Sequence, residues 1–254
     1  MKMTIEALLL IVAALQDHRV AADGYPLDMA LNSVDDQYEG CTEKMADLVK
    51  AKYLEKETSW INVANYNYKT PEDNLTQNHS AAIYTYTNSD VKVHRNFNRD
   101  VLSGKEKYKT DVFLWYSLHF LLTEAIQILK KTQNGCFATY RGTNLHFDRN
   151  VLNKKIRLGF FASSTFDRNK AESFGNVSCF EIHTCEGADI SKYSKFALEE
   201  EVLIPPYETF RVSAVKTRTI EDNLWCENVY MLESTGKNSA LNCALVNRGD
   251  DKLL

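Results

Sequence analysis

The sequence predicts an α+β protein, a helical first half followed by a run of short strands. Three observations carry that expectation. Apolar residues recur at helical spacing from Asp36 to Glu57 and from Thr110 to Lys131. From Cys136 onward the texture changes to short runs rich in β-branched and aromatic residues: CFATYRG, IRLGFFASS, VSCFEIHTC, EVLIPP, TFRVSAVKT and NVYMLES. No repeat, low-complexity tract or Pro/Gly linker divides them, so one domain is expected over 23–254.

The amino terminus has the form of an export signal. Lys2 precedes the apolar run Ala7 to Leu15, and the small residues Val20-Ala21-Ala22 suit a signal peptidase. A leader over 1–22 is expected, since the run is far short of the roughly 20 residues that cross a bilayer. All six cysteines, at 41, 136, 179, 185, 226 and 243, lie beyond it. An even number in an exported chain points to disulfides. The sequons at Asn74, Asn78 and Asn176 agree with a secreted glycoprotein. The carboxyl-terminal ALVNRGDDKLL has no apolar tail, so no lipid anchor is expected, and its Arg248-Gly249-Asp250 reads as a chance match.

In the first helix Cys41, Met45, Leu48, Val49 and Tyr53 share a face. In the second, Val112, Leu114, Trp115, Leu118, Leu121, Leu122, Ala125, Ile126 and Leu129 make a broad apolar surface. Thr110 and Asp111 are candidate caps for its start, and Asn134-Gly135 for its end. His119 falls within that surface and reads as a packed histidine.

Charge and motif exclude several function classes. The net charge is -4 with no basic stripe, which argues against nucleic acid. Nucleotide-binding glycine loops, H-E-x-x-H and G-x-S-x-G are all missing from the sequence. No Cys-x-x-Cys pair or histidine cluster calls for a metal.

Three strand-like segments carry polar groups in apolar surroundings. In Tyr140-Arg141-Gly142-Thr143 the arginine offers a planar fork for a phosphate or carboxylate, and Gly142 would let a ligand approach the backbone. In Phe160-Phe161-Ala162-Ser163-Ser164-Thr165 hydroxyls follow aromatics. In Glu199-Glu200-Glu201, an extended backbone would set Glu199 and Glu201 on one face and Glu200 on the other. Like charges so close are tolerated mainly where a cation, or a transition state becoming positive, is to be met. Singly, each segment is commoner as a strand end, a turn or a solvated loop; the argument is their joint occurrence.

Arginine in one strand, serine opening the next, then Glu-x-Glu resembles the R-S-E pattern of the ecto-ADP-ribosyltransferases. Asp35 to Cys41, Tyr86-Thr87, Phe97-Asn98-Arg99 and Glu199 to Pro206 also resemble that family, so the likeness spans nearly all of the mature chain. The resemblance implies two β-sheets packed around an NAD cleft beside the helical region. It implies Arg141 gripping the phosphate and ribose side of NAD, with Gly142 and Thr143 giving backbone contact. Ser163 would place the catalytic glutamate, Glu201 would bind the nicotinamide ribose and stabilise an oxocarbenium-like transition state, and Glu199 would orient and deprotonate the acceptor. Phe174 would stack near the nicotinamide.

Glutamate rather than glutamine at 199 implies arginine specificity. The expected activity is therefore transfer of ADP-ribose from NAD, or NADP, to arginine side chains of extracellular proteins or to small guanidino compounds, with no metal. An NAD glycohydrolase on the same fold, or an inactive secreted binding protein, are the alternatives. By the same resemblance Cys41 pairs with Cys243 and Cys136 with Cys185, which leaves Cys179 for Cys226. Ser164-Thr165 departs from the family's usual Thr-Ser at these two positions, while Ser163 is retained.

Overall fold

The computed structural model describes residues 24–57, 60–62, 68–220 and 224–246. The leader expected over 1–22 and the Arg248-Gly249-Asp250 tripeptide lie outside the described residues. The first half holds the helices α1 (Thr42–Leu48, continued by a π-helical turn, Val49–Tyr53), α2 (Gln77–Thr87), α3 (Val93–Ser103), α4 (Lys105–Lys109) and α5 (Tyr116–Thr132). The strands β1 (Phe137–Thr143), β2 (Lys155–Arg157) and β3 (Ala162–Thr165) follow, then the short helix α6 (Arg168–Ser173). The chain ends with β4 (Ser178–Thr184), β5 (Ala188–Asp189), β6 (Glu201–Ile204), β7 (Glu208–Thr217) and β8 (Asn228–Lys237).

Both helix starts differ from the sequence expectation, and the first helix stops at Tyr53, short of Glu57. The first helix begins at Thr42 rather than Asp36, because Asp35 and Asp36 are committed elsewhere. Asp35 accepts backbone hydrogen bonds from Ala240 and Leu241 at 2.9–3.0 Å and pairs with the buried Arg157. Asp36 accepts from the Cys243 amide (2.9 Å) and the Tyr108 hydroxyl (2.9 Å), and burial raises its pKa to about 6. Tyr38 then takes a positive φ of 57°, which a helix cannot contain.

The long helix begins at Tyr116, not Thr110. Its free amino-terminal groups are met by Glu57, whose carboxylate accepts from the Ser117 amide (3.0 and 3.1 Å) and the Trp60 indole (3.2 Å). Asp111 instead receives the Tyr53 hydroxyl and Lys52, so Val112 and Leu114 lie exposed outside the helix. His119 is fully buried between the Tyr38 hydroxyl (2.8 Å) and the Val34 carbonyl (3.0 Å), as a packed histidine should be.

The strands form one mixed ladder in the order β2-β7-β8-β4-β1-β3-β6-β5, with β4 and β8 parallel. The two expected sheets are its two halves. Along β1–β4 seven residue pairs are in register, but β1 and β3 meet only at Tyr140 and Thr165. Beyond that single pair the halves splay, and the gap becomes the site described below. The helical core (Met45, Phe97, Leu118, Leu122) packs on the β3–β6–β5 half through Phe161, Leu203, Ala188 and Ile190. A second core, including Ile156, Phe180, Phe210, Val212 and Tyr230, fills the other half.

All three disulfides are formed: Cys41–Cys243, Cys136–Cys185 and Cys179–Cys226. Among the described residues no helix is long and apolar enough to cross a membrane.

Candidate active site

Where β1 and β3 diverge, a cavity of about 770 Å³ opens between the halves of the sheet and helix α3. Arg141, Gly142, Thr143, Ser163, Phe174, Glu199 and Glu201 all line it. The seven candidates therefore share one site, although they come from β1, β3, α6 and the approach to β6.

Each is positioned by its element. Arg141 projects from β1 and donates to the Ser163 carbonyl at 2.6 Å, with its guanidinium 5.6 Å from the Phe160 ring centroid. Its backbone partner in β4 is Phe180. Ser163 hydrogen-bonds the Glu201 carboxylate, as does Ser194. The hydroxyl of Ser163 also lies 3.5 Å from that of Tyr86 on α2, which is held by the Phe161 carbonyl (2.6 Å) and by Asn98 of α3 (3.0 Å). Sequence reasoning gave Tyr86 and Asn98 no role beyond marking the family, because helices distant in sequence bring them behind Ser163.

The three glutamates are not extended as expected. β6 starts only at Glu201; residues Ala197–Glu199 form a 3-10 turn and Glu200 is left-handed (φ 50°, ψ 50°). That left-handed residue throws Glu200 outward onto Lys170 of α6 (3.0 Å), while Glu199 and Glu201 both face the cavity. The expected partition of the carboxylates holds, but a turn produces it rather than strand alternation. Thr165 fixes the turn by donating to the Glu199 carbonyl at 2.7 Å.

Burial dominates the electrostatics. Glu201 is 6% exposed, and desolvation raises its pKa from 4.5 to about 7. The nearby Glu199 pushes it further up, while Ser163, Arg141 and Ser194 hold it down. Desolvation also raises Glu199. Burial lowers the Arg141 pKa, opposed by Tyr86 and Glu201, but an arginine stays charged regardless. The cavity thus has a cationic wall at Arg141 and a pair of carboxylates at Glu199 and Glu201.

Gly142 lines the cavity and also has a packing role. A Cβ there would stand 2.2 Å from the Ala171 carbonyl oxygen and 2.3 Å from that of Gly175, so glycine lets α6 lie directly on β1. That contact sets Phe174, which caps α6 and stands half-exposed on the rim. Leu198 projects almost wholly into solvent at the tip of the 3-10 turn. Among the described residues, Cys136, His183 and Cys185 form one cluster of metal-type ligands, but its two sulfurs are bonded to each other.

The arrangement has known counterparts. The family model for NAD:arginine ADP-ribosyltransferases matches residues 27–239. Rat ecto-ADP-ribosyltransferase 5 is 36% identical over 238 residues, 83% of this chain and 76% of that protein. Mouse GPI-linked NAD(P)(+)--arginine ADP-ribosyltransferase 1 is 34% identical over 245 residues, 87% and 73% of the two chains. The crystal structure of the eucaryotic mono-ADP-ribosyltransferase ART2.2 superimposes with a TM-score of 0.64 at 30% identity, over 86% of this chain and 98% of that one. A variant of ART2.2 in complex with NAD matches equally well.

Proposed function

Because the chain belongs to the NAD:arginine ADP-ribosyltransferase family, we propose that its cavity binds NAD and transfers ADP-ribose to arginine, releasing nicotinamide. The observation that carries this reading is the pairing of two inward carboxylates with Arg141 across one cleft.

The chemistry follows from charge. Arg141 holds the anionic middle of NAD, with Gly142 and Thr143 beside it. As the bond from ribose C1′ to nicotinamide breaks, its electron pair leaves with the now neutral nicotinamide and positive charge develops on the ribose. Glu201, fixed by Ser163, meets that charge in a water-poor pocket. Phe174 flanks the nicotinamide. Glu199 attracts the cationic guanidinium of the acceptor and accepts its proton as nitrogen bonds to C1′. These steps, as written, call on the two carboxylates and Arg141 and route nothing through a metal.

We place the protein outside the cell, where three disulfides persist and the exposed Asn74, Asn78 and Asn176 can carry glycan. Its acceptors are then extracellular proteins bearing arginine, or small guanidino compounds. The test is incubation with labelled NAD and agmatine, with and without Glu199→Gln. Wild type should label agmatine, and the variant should release nicotinamide without labelling. Labelling that survives the change removes Glu199 from its role; nicotinamide release without labelling in the wild type makes the protein a glycohydrolase.

A further inference from the structure

The end of β1 remote from the cleft carries a side-chain cluster that the reaction leaves unused. Cys136 precedes β1 and Cys185 follows β4. Continuing the register from the Phe137–Thr184 pair sets these two cysteines directly opposite each other, with their Cα atoms 4.2 Å apart. His183 stands two residues before Cys185, so both side chains emerge on the same face of the strand. Ligand-type atoms of Cys136, His183 and Cys185 all fall within 4.8 Å of one another. Glu233, the backbone partner of His183 on β8, brings a carboxylate oxygen to 3.3 Å from the His183 Nδ1. None of these four residues lines the cavity.

We propose that reduction of the Cys136–Cys185 bond turns this cluster into a zinc site, with two thiolates and the His183 imidazole as its protein ligands. Two cysteines and a histidine are a donor set that zinc favours, and they leave a fourth position for water. Around one zinc ion such atoms stand about 3.5–4 Å apart, so a parting of the two sulfurs and a small closure of His183 complete the site. Glu233 supplies the carboxylate that orients a metal-bound histidine through its other ring nitrogen. The sequence hides the site, because its ligands come from two strands and form no Cys-x-x-Cys pair. The site is independent of the NAD-binding reading above.

The other two disulfides do not offer the same chemistry. Cys179 and Cys226 are fully buried, and Cys41 and Cys243 are 7% and 6% exposed, whereas Cys136 is exposed and Cys185 half-buried. A thiolate must reach a sulfur to cut the bond, so exposed disulfides are the labile ones. A dithiol reductant supplies two electrons and two protons, is itself oxidised to a disulfide, and leaves two cysteine thiols. Zinc then displaces both thiol protons, which pass to solvent. The thiols stay together because the backbone around them is fixed without the bond. The seven β1–β4 pairs remain, and the buried Glu208 carboxylate accepts from the amides of Cys185 (2.7 Å) and Glu186 (3.1 Å). Either the bond or the metal therefore ties the start of β1, the strand of Arg141, to the end of β4.

The test reduces the full-length protein with a limiting amount of a phosphine, removes the reductant without oxygen, and titrates zinc chloride or cobalt(II) chloride. Mass mapping of alkylated cysteines should place the new thiols at Cys136 and Cys185. The reduced protein should bind one metal ion per chain, with thiolate charge-transfer absorption for cobalt, and the oxidised protein should bind none. Zinc should raise the Tm of the reduced protein by several degrees and leave that of the oxidised protein unchanged. His183→Ala should weaken zinc binding by about a hundredfold or more, and Glu233→Gln by about tenfold. Both variants, when oxidised, should release nicotinamide at the wild-type rate. Thiols appearing first at another pair, a reduced protein that binds no metal, zinc that binds without raising the Tm, or an affinity indifferent to His183→Ala each overturns the site. None of these results bears on the transfer of ADP-ribose.

Discussion

Thr165 faces Glu201 across the β3–β6 pair, and its hydroxyl donates at 2.7 Å to the carbonyl of Glu199. One buried side chain therefore references both carboxylates to the same strand. Replacing Thr165 with Val keeps the shape and removes the tie. Loss of that bond should destabilise the fold by about 1 kcal/mol. More tellingly, arginine transfer should fall several-fold more than NAD cleavage, because Glu201 stays in its strand while the Glu199 turn loosens. Equal losses in labelled agmatine and in nicotinamide would contradict the separation.

Glu201→Gln should lower nicotinamide release by about a hundredfold or more, yet make the protein more stable at neutral pH. The folded carboxyl holds its proton more tightly than the unfolded one, at about 7 against 4.5. Below the lower value both states are protonated and nothing is lost. Between the two, the folded state is progressively destabilised; above the higher value the penalty is constant, on the order of 3 kcal/mol at most. Melting temperatures of variant and wild type should therefore agree at about pH 4 and separate as the pH rises through about 7, with the variant higher. A difference independent of pH would show that desolvation is not its source.

Gly142→Ala tests the seat of α6. The added methyl would press on two carbonyl oxygens, those of Ala171 and Gly175, and backbone cannot yield as a flexible side chain does. The helix must move, taking Phe174 with it. KM for NAD should rise by about tenfold, with a destabilisation of about 1–3 kcal/mol. An unchanged KM would mean that Phe174 and the placement of α6 do not matter to NAD.

Arg157→Met leaves the buried Asp35 without its cation. Arg157 also donates to the carbonyls of Met29 (2.7 Å), Ala30 (3.1 Å) and Asn238 (2.8 Å), so it binds the start of the described chain to the segment after β8. Denaturant titration should show a loss of about 3–5 kcal/mol, partly restored when Asp35 is changed to Asn as well. No recovery in the double variant would assign the loss to those carbonyls alone.

Much of the site was legible because its residues sit in short local patterns. Arg141, Ser163 and the glutamates each stand at the edge of an apolar run, and β1, β3 and β6 form around them. What was hidden depends on partners far along the chain. Glu57 caps a helix some distance away, so no spacing rule near Thr110 could reveal where α5 begins. Asp35 and Asp36 look like helix residues until the carboxyl-terminal segment claims them. The left-handed Glu200 is unmarked in sequence, since no glycine stands there, and its ion pair to Lys170 appears only once α6 is in place.

The Cys41–Cys243 bond spans 202 positions, and the Asp35 and Asp36 carboxylates lie beside it. Covalently, almost the whole catalytic body is a closed ring. A protease that nicks any exposed loop inside that ring opens it without releasing either fragment. The nicked molecule should migrate as one species until a reductant is added, and a cut remote from the cleft should leave it a working enzyme.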